Sequence, residues 1–107
     1  MTLGRVILAL AGIAAIGGIT PAMAAGDAAH GKVLFNQCLI CHTIEPGKSK
    51  IGPSLFGVVG RPGASQAGYQ YSNAMKDYAQ NVVNKDDKGW TDEKLFTYLE
   101  SPQTLVR

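Results

Sequence analysis

Little in this sequence can crosslink the chain. Its two cysteines, Cys38 and Cys41, lie three positions apart, so no long disulfide loop can staple a fold. Charge of one sign is also missing. Ten Lys and Arg stand against eight Asp and Glu, a formal +2 without a basic run, which excludes the footprint of a nucleic-acid-binding surface. No apolar run is long enough to cross a bilayer comfortably. The stretch Val6 to Ile19 holds 14 residues, and a spanning helix takes roughly 20. With 107 residues there is room for one small domain and not for a multidomain machine.

What the first residues do contain is an address. Arg5 is the only charge before Asp27, and Val6 to Ile19 is unbroken apolar residue and glycine. Thr20-Pro21 then stops any helix, and Ala22-Met23-Ala24 puts small residues where a signal peptidase reads. The expectation is a secretory signal over 1–24, with an uncleaved membrane anchor as the alternative. A buried core helix fits poorly, because the run has no polar face. The remainder, Ala25 to Arg107, carries nine basic and eight acidic side chains. A domain of that size without a disulfide needs another source of cohesion, and a metal or cofactor is the first candidate.

Cys38-Leu39-Ile40-Cys41-His42 is C-x-x-C-H, the attachment signature of a c-type haem. The spacing follows from chemistry. Two thiols add to the two haem vinyl groups as thioethers, and one turn of chain brings the next imidazole under the iron. Three other uses compete. A redox dithiol wants a βαβ setting, whereas glycine and proline dominate the next twenty residues. A zinc site wants a fourth ligand, and His30 is the only other histidine. A disulfide across two residues is strained and closes almost nothing.

Around the motif the pattern is helical or irregular. Asp27 can cap a helix running toward Cys38, with Gly31, Leu34, Phe35 and Cys38 on one face. His30 reads as an exposed or capping residue. Thr43 to Gly68 is rich in glycine and proline and predicts turns, not sheet. Within it, a proline carbonyl at Pro53 could orient the His42 ring by accepting from its N–H. Ser72 can cap a short helix carrying Met75, Tyr78 and Ala79 on one face. Asn81 to Gly89, with Lys85, Asp86, Asp87 and Lys88, reads as a solvated loop. Thr91 caps a last helix, with Asp92 and Glu93 at its positive end, Leu95, Tyr98 and Leu99 on its apolar face and Phe96 at the edge. Pro102 ends it.

From Gly26 onward the chain resembles a class I cytochrome c of the soluble bacterial and mitochondrial type. The resemblance rests on Gly31, Cys38 to His42, Ile51-Gly-Pro-Ser-Leu-Phe-Gly57, Gly60-Arg61, Gly68-Tyr69-Gln-Tyr71-Ser72, Trp90 and Tyr98-Leu99 with Pro102. It implies an all-α fold of helices and irregular loops wrapped around covalent haem c. It implies His42 as the proximal iron ligand, Pro53 as the carbonyl that fixes its ring, and Cys38 and Cys41 as the attachment points. Tyr71 and Trp90 would then hydrogen-bond a haem propionate with Arg61 nearby, while Leu55, Tyr98 and Leu99 line the crevice. Asn81 to Lys88 would be a surface insertion.

The resemblance also implies a sixth ligand. The family's methionine lies on a loop after the Trp-containing helix, whereas this chain has only Met1, Met23 and Met75. By the family's spacing the ligand falls a few residues past Arg107. The helix that crosses the Gly31/Phe35 face falls there too. The expectation is a cytochrome c domain over 25–107 that ends early, exported to the periplasm. Its implied task is one-electron transfer between membrane redox complexes, as a monomer and not as an enzyme, through a weak transient interface. Lys32, Lys48, Lys50 and Lys94 are candidate contributors to it, with scattered solvated lysines the favoured reading at a net charge this small. The rival is a haem peroxidase, a ligand-binding haem domain, or the haem domain of a larger oxidoreductase subunit.

Overall fold

A computed structural model describes residues 26–107 together with Gly12, Gly17 and Gly18. The expected leader over 1–24 therefore lies outside the described residues. Among the described residues there is no β-strand.

Asp27 caps α1, Ala28–Phe35, by accepting from the His30 backbone N–H at 3.0 Å. The helix stops sooner than its apolar spacing suggests. Cys38–Ile40 forms a separate 3₁₀ turn, closed by the Cys41 and His42 N–H groups donating to the Cys38 carbonyl at 3.1 and 2.8 Å. The tighter turn reverses the chain within the motif and sets the two cysteines and the imidazole around one corner.

From Thr43 to Tyr71 the chain has no regular element, as its glycines and prolines predict. It is nevertheless tied down. Gly52 N–H donates to the Cys41 carbonyl at 2.8 Å and Leu55 N–H to the Thr43 carbonyl at 2.9 Å. The buried hydroxyls of Thr43 and Ser54 donate to the Lys48 and Glu45 carbonyls. Buried polar groups paired in this way give an irregular loop a single shape.

Ser72 caps α2, Asn73–Tyr78, accepting from Met75 N–H at 3.1 Å. Thr91 caps α3, Asp92–Glu100, accepting from Lys94 N–H at 3.2 Å. α3 ends at Glu100, just ahead of Pro102 as expected, because a residue before proline is disfavoured in helical conformation. The chain leaves the helix at Ser101 (φ −158°), and Pro102 opens a short α4, Pro102–Leu105, where its missing N–H has no partner to lose.

Asn81–Gly89 departs from expectation most. Asn81, Val82 and Lys85 to Lys88 are exposed, as a solvated loop predicts, but Val83 and Gly89 are buried. α2 runs on without a break into a π turn over Ala79–Val83, and Val83 is fully buried. Helical spacing from Met75, Tyr78 and Ala79 would point Val82 inward. The wider π turn shifts the register by one residue, so Val83 enters the core and Val82 is 41% exposed. The buried core joins Tyr78, Ala79, Val83 and Trp90, with Val58, Met75, Leu95, Tyr98 and Val106 packed against it. Tyr78, Trp90 and Tyr98 form an aromatic triangle with ring centres 5.2 to 6.2 Å apart.

Candidate functional site

Beside this core lies a cavity of about 550 Å³, within the range of ligand and cofactor sites. Cys38 and His42 stand on one side of it, with Pro53, Leu55 and Val58 from the irregular segment. Arg61, Tyr71 and Trp90 line it further along, and Leu95, Tyr98 and Leu99 come from α3. Of the nine residues expected at the site, only Cys41 is not in the wall. It is half-buried within the 3₁₀ corner between Cys38 and His42.

The imidazole is oriented from behind. His42 Nδ1 lies 2.7 Å from the Pro53 carbonyl oxygen, which accepts its proton and leaves the Nε2 lone pair free. Gly52 makes that approach possible. A Cβ there would overlap the imidazole ring itself. Both cysteines are thiols without a disulfide.

The polar end has a different logic. Arg61 Nη1 donates to the Ser54 and Phe56 carbonyls at 2.8 and 3.1 Å and to Gln66 Oε1 at 3.2 Å. Its Nε is buried and has no partner. A guanidinium side chain in a cavity wall suits an anionic ligand edge. Tyr71 is close by. Its hydroxyl accepts from Gln66 N–H at 3.0 Å, so its own proton remains to be donated. Around these groups the lining is mostly apolar, and burial, followed by the neighbouring Tyr78, pushes the Tyr98 phenol above its ordinary pKa. A flat apolar group with an imidazole-binding metal and an acidic edge matches this chemistry. The Cys38 thiol in the wall, with Cys41 at the same corner, matches the vinyl edge of the same group. The residues present therefore fit haem c.

Three side-chain placements were not legible from spacing. Asn84 pairs with both polar groups of Gly63, accepting from its N–H at 2.7 Å and donating to its carbonyl at 3.3 Å. Lys94 is not a surface contact. Its ammonium turns inward, 17% exposed, to the Val83 and Gly89 carbonyls and Asp86 Oδ1 at 2.7, 3.0 and 2.6 Å. Met75 lines the cavity from α2. Of the other lysines considered as candidate contacts, Lys48 pairs with Glu45 at 3.0 Å and Lys50 donates to the Leu39 carbonyl at 3.0 Å.

The chain is 45% identical over 82 residues to cytochrome c2 of Rhodopila globiformis, covering 76% of this chain and 70% of that one. The chain belongs to the cytochrome c family. Cytochrome c2 of Blastochloris viridis is 39% identical over 82% of this chain and 63% of its own length. No family model matches the chain. Among solved structures, cytochrome c2 from Rhodospirillum centenum superposes with a TM-score of 0.65 at 31% identity, over 77% of this chain and 66% of that one. The Paracoccus denitrificans cytochrome c2 gives 0.62 at 38% identity, over 76% and 70%. The small all-α cytochrome c fold thus covers the described residues, and haem c is its cofactor. As a cytochrome c, the protein is a one-electron carrier. The βαβ context of a redox dithiol is not present among the described residues.

Proposed function

We propose that Cys38 and Cys41 fasten the haem and that His42 Nε2 binds its iron. Each S–H would add across a vinyl double bond, sulfur to one carbon and hydrogen to the other, so no oxidant would be needed. Bound haem supplies the redox couple, iron passing between Fe(III) and Fe(II) by one electron with no substrate bond made or broken. The chain's own residues do the rest. Pro53 accepts the Nδ1 proton and fixes the ring, Leu55, Tyr98 and Leu99 exclude water from the crevice, and Arg61, Tyr71 and Trp90 receive a propionate. Excluding water limits solvent rearrangement when the charge on iron changes.

The observation that carries this reading is the His42 ring, held through Nδ1 at 2.7 Å from Pro53 O, directly after two free thiols. Export by the expected leader fits it, because covalent attachment would follow in the periplasm. The carrier would then shuttle between membrane redox complexes by transient docking. Of the lysines considered for that docking, Lys94 is drawn inward, while Lys32, Lys48 and Lys50 stay exposed.

The test is a pyridine haemochrome spectrum of the exported protein and of Cys38→Ala. The expected result is covalent haem in the first and a spectrum shifted by one unsaturated vinyl group in the second. Absence of covalent haem from the unaltered protein overturns the reading. Steady turnover of peroxide with fast cyanide binding would favour the peroxidase alternative instead.

A further inference from the structure

Asn84, between α2 and α3, and Lys94, in the first turn of α3, grip the chain at two places that matter to the polar end of the cavity. Asn84 holds Gly63 through both of its backbone groups, two residues after Arg61. Gly63 is itself wedged in place, because a Cβ there would stand 2.9 to 3.0 Å from Ala79 and Val83 side-chain carbons. On the other side, Lys94 holds the carbonyl of Gly89, the residue before Trp90. The two gripped stretches are joined to each other. Gly60 N–H donates to the Trp90 carbonyl at 2.7 Å, and Trp90 N–H donates to the Arg61 carbonyl at 2.9 Å. Gly89 reaches this pairing with φ +64° in a place where a Cβ would lie 2.5 Å from Arg61 O. Arg61 and Trp90 are thus backbone neighbours, and the side chains that lock the pair come from outside the cavity.

We propose that Asn84 and Lys94 are positioning residues for electron transfer, holding Arg61 and Trp90 at the anionic edge of the haem site and thereby setting the balance between Fe(II) and Fe(III). The inference rests on the proposed haem site. Neither residue lines the cavity. Both act through the Arg61–Trp90 backbone pair, and both members of that pair line the cavity. A guanidinium held beside a carboxylate offsets its negative charge, and an offset carboxylate stabilises Fe(III) less. Loosening the grip shifts the Arg61–Trp90 backbone pair and with it both side chains relative to that edge, so the charge is offset less well and Fe(III) gains. Lys94 is suited to the task because its three acceptors come from three points of one loop, Val83, Asp86 and Gly89. Removing the ammonium frees all three at once.

The experiment equilibrates the haem-loaded protein with a redox mediator of known potential. Asn84→Ala and Lys94→Met are compared with Lys85→Met, which removes the same charge from an exposed position on the same loop. Amide hydrogen exchange at Trp90 is read on the same samples. Each of the first two variants should shift the Fe(III)/Fe(II) ratio about threefold toward Fe(III), ~28 mV at 59 mV per tenfold for one electron. Both should speed Trp90 exchange about tenfold, and Lys85→Met should do neither. Faster exchange with an unmoved redox ratio makes the contacts merely structural and overturns the proposal. An equal redox shift in Lys85→Met overturns it too, since loss of charge would then suffice. Asn84→Ser, which keeps a short hydroxyl, replaces Asn84→Ala if that variant does not accumulate as a haem protein. Haem content is measured first, so failure of attachment in the unaltered protein is read against the haem site and not against this inference.

Discussion

The corner Cys38–His42 and the segment Ala79–Gly89 both serve the same cavity, and they do so by opposite means. The corner presents reactive atoms directly. Its thiols and imidazole are set by a 3₁₀ turn of three residues and by one carbonyl, Pro53 O, eleven residues on. The segment presents nothing to the cavity. It contributes Val83 to the core, the Asn84 amide to Gly63 and three acceptors to Lys94 and its helix. Chemistry at the corner is local in sequence and demands particular residue types. Support from the segment is distributed, and any side chain of the right reach could give it.

The largest effect should come from breaking the corner where it is tightest. Gly52→Ala places a methyl inside the volume of the His42 ring. The imidazole must move and lose Pro53 O, and loss of such an orienting partner weakens a metal ligand by about 10- to 100-fold. The iron–histidine stretch in the resonance Raman spectrum of the ferrous protein should weaken or vanish. An unchanged stretch would mean that the loop yields and not the ring.

The next effect separates two adjacent valines of the segment. Val83→Ala removes two methyl groups from a fully buried site, at a cost of about 2 kcal/mol, whereas Val82→Ala should cost less than about 1 kcal/mol. Denaturant unfolding of the haem-loaded protein measures both. Equal costs would show that the π turn does not set the register in solution.

This contrast also explains what the sequence made legible. C-x-x-C-H, the capping residues Asp27, Ser72 and Thr91, and the glycine-rich stretch each have a local physical cause, and the structure places each as its type dictates. The helical face of Met75, Tyr78 and Ala79 was visible too. What hid Val83 was one extra residue in the turn, which alters no composition and shifts every later position. The charges at Lys85 to Lys88 pointed to solvent, and all four residues are exposed. Lys94 was unreadable for another reason. A lysine in the first turn of a helix looks like surface, and only the folded loop supplies the carbonyls that draw it inward. The apolar face of α3 was read correctly, yet Leu99 is 67% exposed and Phe96 71%. Periodicity identifies a face without saying what covers it.

The smallest effect tests whether the segment's outer fastening is electrostatic. The Lys94 ammonium, first by hydrogen bond, and then the Lys88 backbone N–H hold the Asp86 carboxyl below its ordinary value of 3.8. A carboxylate depressed in the folded protein contributes stability that is complete above the unfolded pKa and is lost as pH falls through the lowered folded one. The loss should therefore appear only in acid, below about pH 4. Asp86 is half-exposed, so salt and water screen the pair and the change should be slight. Asp86→Asn should leave thermal stability at pH 7 a little lower and flatten its decline between pH 5 and pH 3, relative to the unaltered protein. If the two profiles run parallel through acid, the ammonium is held by the Val83 and Gly89 carbonyls alone. The segment's grip on Trp90 would then be a matter of backbone geometry, closer in kind to the corner that it supports.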